Sequence, residues 1–155
     1  MSIEQSFAPI LLAGSTALMF LTVPLRRIRS LLGWGLVAGL GVATALVYLM
    51  QVVYGFWDFR NADPLSYAGI PWTLGLSWIP LVIVFSDFVR RRSLWLTAAS
   101  LVVFPVGAVL THWYMLQNGM LIYRNWSLPA TFLISLGIHL AILASVNTAR
   151  IRAES

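Results

Sequence analysis

Apolar residues run nearly unbroken for about twenty positions at a time, five times along the chain, and polar residues are largely confined to the gaps. The runs extend from Phe7 to Leu25, Leu31 to Val53, Ala68 to Phe88, Leu94 to Leu116 and Leu128 to Val146. A bilayer's hydrocarbon core is about 30 Å thick and takes roughly 20 apolar residues of helix to cross. Within lipid every backbone N–H and C=O must be satisfied inside the protein, so runs of this length predict helices. The short alternating segments of a membrane barrel are absent. The predicted fold class is all-α: a polytopic membrane protein, one domain over residues 1–155, built as a bundle of five transmembrane helices.

The charged residues orient this bundle. Arg26, Arg27 and Arg29 lie between the first two runs, Arg90, Arg91 and Arg92 between the third and fourth, and Arg150 and Arg152 after the fifth. Only Arg60 and Arg124 fall in the other gaps. Short cytoplasmic loops keep basic residues, so the N-terminus is expected outside and the C-terminus in the cytoplasm. The net charge of +5 then reflects inner-face arginine beside anionic headgroups, with no nucleic-acid partner implied. Membrane lipids are the expected partners. Glu4 and no basic residue precede the first run, and the arginines follow it, so it should persist in the mature protein rather than act as a cleaved signal.

Composition narrows the chemistry. Hydrophobic residues make up 59% of the 155 and charged residues 10%, a balance suited to lipid rather than water as solvent. Cysteine is absent, which excludes disulfides, thiolate metal sites and cysteine nucleophiles. No lysine occurs either, which removes Schiff-base chemistry and the lysine of a phosphate-binding loop.

Two short echoes suggest a repeat of two-helix units followed by a fifth helix. Arg29-Ser30-Leu31 is matched by Arg92-Ser93-Leu94, and Arg60-Asn61 by Arg124-Asn125, with Pro64 further on in the first outer gap and Pro129 at the opening of the fifth run. The second run opens with Gly33, Gly35, Gly39 and Gly41. The spacing of Gly35 and Gly39 lets helices approach closely, within the bundle or with a homo-oligomer or membrane-protein partner. Pro80 and Pro105 sit near the middle of the third and fourth runs and free the carbonyls of Leu76 and Leu101. They are tolerated kinks or the two halves of a hinge.

The candidate polar constellation lies at the outer face. Trp57, Asp58, Arg60 and Asp63 follow the second run, Trp72 opens the third, His112, Trp113 and Tyr114 close the fourth, and Tyr123, Arg124 and Trp126 precede the fifth. Helix ends meeting there could gather them into one aromatic cleft that binds an apolar or lipid-like ligand. Asp58, Asp63 and His112 are the candidate catalytic acids and bases, and Arg60 or Arg124 could pair a carboxylate or phosphate headgroup. The same aromatics would serve equally as an interfacial belt, and the carboxylates as loop ion pairs.

His139 stands about eleven residues into the fifth run, near mid-membrane, where ionisable groups face the bundle interior. It is a functional candidate or a histidine bonded to a neighbouring hydroxyl or carbonyl. At roughly 1.5 Å per residue His112 lies about 6 Å and His139 about 16 Å below the outer interface, too uneven for a bis-histidine haem. His112, Asp58 and Asp63 carry no recognisable metal-ligand spacing. Neither cofactor nor metal is expected. Asp87, just before Arg90 and Arg91, predicts an inner-face salt bridge.

The segments YGFWDFRNADPLSYAGIPW and LIYRNWSLPATFLI resemble the outer loops of an uncharacterised family of small five-span bacterial integral membrane proteins, found largely in spore-forming Gram-positive bacteria. The resemblance covers Tyr54 to about Val146 and implies five spans and a bacterial plasma membrane; it implies no activity. A weaker similarity is to lycopene cyclase domains, through Trp57-Asp58-Phe59 and Pro71. Trp72 and Thr73 stand where those domains carry their acidic pair, so their proton chemistry does not transfer. The favoured expectation is a non-catalytic membrane protein that binds a lipid-like ligand or acts as an accessory subunit. The alternatives are a lipid- or isoprenoid-modifying enzyme and a small transporter gated by the Pro80 and Pro105 kinks past His139.

Overall fold

The computed structural model describes residues 3–60, 63–67, 70–91 and 93–154. The expected positions of Asn61, Ala68 and Arg92 lie outside the described residues, as do the side chains of Arg150 and Arg152. Among the described residues there are five helices: α1 (Ile3–Thr22), α2 (Leu25–Val53), α3 (Trp72–Arg90), α4 (Leu94–Gln117) and α5 (Leu128–Glu154). Four are long and apolar enough to cross a membrane, α2 to α5, whereas the apolar part of α1, Ser6–Thr22, is shorter.

The arginines expected in a loop after α1 are helical. Only Val23 and Pro24 separate α1 from α2, which begins at Leu25 rather than Leu31. Pro24 occupies the cap with φ −59°, a value proline holds without strain, and arginine is a good helix former. Ile28 and Leu31 turn inward, and Arg26, Arg27 and Arg29 remain exposed on the other side of the same turns. The α3 helix likewise starts at Trp72, because Ile70 and Pro71 are extended.

α3 is the central element. It packs on α1, α2, α4 and α5, and the six consecutive residues Val82 to Asp87 are all buried, which requires neighbours around the full helical circumference. The helices α4 and α5 also pack extensively on each other. Gly35 and Gly39 make the α2 approach: a Cβ at Gly39 would stand 2.9 Å from the Ile79 Cα and the Trp78 carbonyl oxygen. The glycine stripe is therefore occupied within the chain. It lies in the first of two π-helical stretches of α2, Gly35–Gly41 and Tyr48–Val53, where the widened turn removes the regular four-residue pairing. Of the two mid-helix prolines, Pro105 leaves α4 unbroken, while helical pairing is interrupted at Ser77, three residues before Pro80. There the Ser77 hydroxyl donates to the Leu74 carbonyl at 2.6 Å.

The gaps expected to be loops contain short strands. β1 (Trp57–Phe59) and β4 (Leu121–Tyr123) pair antiparallel, Trp57 opposite Tyr123 and Phe59 opposite Leu121, while β2 (Ser66–Tyr67) pairs with β3 (Ile70–Pro71). The β1–β4 ribbon is closed symmetrically by Arg60 N–H on the Met120 carbonyl and Arg124 N–H on the Phe56 carbonyl. Each strand is preceded by a glycine at positive φ, Gly55 at 64° and Gly119 at 69°. The Arg60-Asn61 and Arg124-Asn125 echoes thus follow the two partner strands of one ribbon. Helix ends define a ribbon face at this end and an arginine face at the other.

Candidate functional site

On the ribbon face Asp58 Oδ2 accepts from both Arg60 and Arg124, each at 3.0 Å. These hydrogen bonds, Arg60's first and then Arg124's, hold the Asp58 carboxyl below the usual carboxylate range. All three side chains are at least partly exposed, so the cluster is a surface clamp on the ribbon. Asp63 has a different place. It is buried, and its two oxygens accept the backbone N–H groups of Leu65 and Leu74, each at 2.9 Å. Leu74 is in the first turn of α3, so Asp63 caps that helix from eleven residues away. Of the two carboxylates expected as loop ion pairs, Asp58 is one and Asp63 is not; Arg124 bonds to Asp58.

Beneath the ribbon lies an aromatic layer. Trp57 is buried edge-on to His112, with ring centroids 4.9 Å apart, and edge-on to Trp126 at 5.9 Å. Its Nε1–H has no hydrogen-bond partner among the described residues. His112 Nδ1 lies 2.6 Å from the Tyr123 hydroxyl, which lies 2.6 Å from Thr131 Oγ1. Thr131 also accepts from Trp126 Nε1 at 2.9 Å and donates to the Ser127 carbonyl. Burial pushes the Tyr123 hydroxyl up to about 12, with the Thr131 hydrogen bond acting in the opposite direction. Tyr114 stacks on Phe7 of α1, Trp113 faces outward, and Trp72 is half-buried at the start of α3.

A cavity of about 380 Å³ opens directly below. It follows α3 from Leu74 to Phe88 and has α1 and α4 as its two sides. These helices pack on α3 and have little direct packing on each other, so the cavity is a cleft between them; nearer the ribbon the Phe7 and Tyr114 stack bridges the two helices. Of the residues singled out in the sequence, His112 and His139 line it; Trp57, Arg60, Trp72, Trp113, Tyr114, Arg124 and Trp126 do not. His139 is buried among Phe85, Phe104 and Trp78 and hydrogen-bonds through Nδ1 to the Ser135 carbonyl at 2.7 Å. Asp58, Asp63 and His112 do not converge, and among the described residues no group of three histidines or carboxylates could hold a metal ion.

Sequence reasoning missed Ser77, Trp78 and the α4 wall. The signal was present in α4: Val103, Gly107 and Thr111, and beside them Phe104, Ala108 and His112, recur at four-residue spacing on one face. Gly107 is the small residue at the middle of that wall, and a Cβ added to it would meet nothing within 4 Å. No family model, no curated protein and no solved structure matches the chain.

Proposed function

We propose that this protein is a five-span component of a bacterial plasma membrane, N-terminus outside and C-terminus cytoplasmic, that takes a hydrocarbon-chain ligand from the bilayer into the cleft between α1 and α4. The observation that carries this reading is the cleft itself. Its volume falls in the range of small-molecule sites, about 300–1,000 Å³. Its length along α3, from Leu74 to Phe88 or about 21 Å, suits an extended chain lying parallel to the lipid tails. Leu18 and Val103, on opposite walls, are exposed at its rim, which provides a lateral entrance from lipid.

A binding role rather than a catalytic one is favoured by the use already made of the candidate acids. Asp58 is held by two guanidinium groups, and Asp63 by two backbone N–H groups. The ribbon and its aromatics form the roof that holds His112 in the cleft wall. The test is mass spectrometry of molecules that co-purify in mild detergent with wild type and with Gly107→Leu, whose new side chain projects into open space on the wall. A chain-bearing species retained by wild type and lost from Gly107→Leu is the expected result; identical profiles would overturn the reading.

A further inference from the structure

The cleft has a polar end and an apolar end. Ser77 and His112 each lie five residues from the ribbon end of their helices, about 8 Å down, with Trp78 and Thr111 beside them and His139 deeper. Toward the arginine face the walls are Leu18, Leu81, Val84, Phe88, Val103 and Phe104, with no polar side-chain atom. A single-headed amphiphile matches this division, its head near the ribbon and its tail toward Phe88.

Hydrogen positions in the wall define what the head must be. Ser77 already donates its hydroxyl hydrogen to the Leu74 carbonyl, and Thr111 donates to the Gly107 carbonyl at 2.9 Å. The His139 Nδ1 bond ends on a carbonyl, which only accepts, so in the neutral ring the hydrogen is on Nδ1 and Nε2 is an acceptor. His112 follows by the same logic. Thr131 has one hydroxyl hydrogen, given to the Ser127 carbonyl, so Tyr123 must donate to Thr131. The Tyr123 oxygen then accepts from His112 Nδ1–H, and His112 Nε2 is also an acceptor. Neither Nε2 has a protein partner among the described residues. The ion pairs among the described residues join arginines to Asp58 and Asp87 and involve neither ring, and both histidines are buried, so each is taken as the neutral imidazole. Trp78 is the one lining side chain with an N–H not engaged by protein among those residues.

We infer that the ligand is a neutral long-chain alcohol, a class that includes isoprenoid alcohols, whose hydroxyl donates to a histidine Nε2 in the cleft. A hydroxyl supplies the hydrogen that the two histidine acceptors lack and can in turn accept from the Trp78 indole. An ester, aldehyde or ether offers acceptors only and leaves the histidine nitrogens unpaired.

This inference rests on the cleft being a ligand site, and the experiment separates the two. Wild-type protein in nonionic detergent is titrated with oleyl alcohol, oleyl methyl ether and oleyl aldehyde, and bound fractions are read by native mass spectrometry. The alcohol is expected to bind about three- to tenfold tighter than the other two, and that preference is expected to vanish in His112→Phe or His139→Phe. Equal binding of all three probes would overturn the hydroxyl assignment while leaving the cleft reading intact. A preference that survives in both variants would overturn the histidine assignment. Failure of all three to bind wild type would overturn the cleft reading as well.

Discussion

Arg27 and Asp87 meet at 3.0 Å, joining the first turns of α2 to the last turn of α3 across sixty residues of chain. Asp87 is fully buried, and its second oxygen accepts two N–H groups of Arg91, at 2.9 and 2.7 Å. Arg91 also donates to the Thr22 carbonyl at the end of α1, so one carboxylate ties three helices together at the arginine face. Of the sequence candidates Arg90 and Arg91, the structure selects Arg91, and it adds Arg27.

Removing Arg91 leaves a buried carboxylate with one partner. Because Arg91 is itself about one-third exposed, Arg91→Met is expected to destabilise by ~2 kcal/mol, below the full value for breaking a buried pair. Arg27→Met should be milder, since Arg27 is half-exposed and holds a single contact. Reversible unfolding in mixed micelles measures both; equal or negligible effects would contradict this arrangement.

Asp63→Ala removes the acceptors of Leu65 N–H and Leu74 N–H. The expected loss is about 1–2 kcal/mol, the usual value of a helix cap. Ligand retention by the cleft should persist at temperatures where the variant remains folded, because Asp63 does not line it. Loss of binding with unchanged stability would instead indicate a direct role for this carboxylate.

Asp58 and Tyr123 predict opposite ends of the pH profile. Asp58 titrates lower in the folded protein than the ordinary 3.8, so its contribution is fully present above that value and is lost as pH falls through the folded pKa. Tyr123 is raised from 10.0 to about 12, so its contribution is present below pH 10 and lost as pH rises through 12. Ultraviolet titration of phenolate should show a late-ionising tyrosine that disappears in Tyr123→Phe. An unchanged titration curve in that variant would assign the late group elsewhere.

Glycine substitutions should divide by what their new Cβ meets. At Gly39 it meets α3 backbone at 2.9 Å, which cannot rotate away, and Gly39→Ala is expected to destabilise by about 1–3 kcal/mol. At Gly35 the nearest atoms are side chain rather than backbone, Ile83 Cγ1 and Cδ1 at 2.9 and 3.0 Å, but Ile83 is β-branched and fully buried, so Gly35→Ala should also destabilise, by less than Gly39→Ala. Gly14→Ala meets nothing within 4 Å and serves as the control in the same unfolding assay.

Orientation is open to a direct test because the chain has no cysteine of its own. Single cysteines at the exposed positions Ser66 and Ser30 lie on the ribbon and arginine faces. Labelling of intact cells by an impermeant maleimide is expected at Ser66→Cys and absent at Ser30→Cys; the reverse pattern would put the ribbon in the cytoplasm.

The helices were legible in the chain because each long apolar run has the length and composition of a membrane-crossing helix, and a run of that length has few ways to satisfy its backbone other than within itself. Residues 94 to 117 illustrate this, their observed limits differing from the expected ones by a single position. Boundaries shifted where a different local rule prevailed: Pro24 starts α2 six residues early, and extended Ile70 and Pro71 delay α3. The Asp87 carboxylate beside its arginines and the special position of His139 were also readable, since an ionisable residue in or at the end of an apolar run stands out by itself.

Tertiary structure alone decided which faces meet. A helix that is apolar all round has no amphipathic phase to show which side turns inward, so nothing local distinguishes the enclosed α3 from its neighbours. For the same reason the sequence could not show that His112 and His139 share a cleft with Ser77 and Trp78, while Trp57 and Trp126 pack above it. The pairing of β1 with β4 and the reach of Asp63 to Leu74 depend on contacts between segments that the chain separates and the bundle brings together.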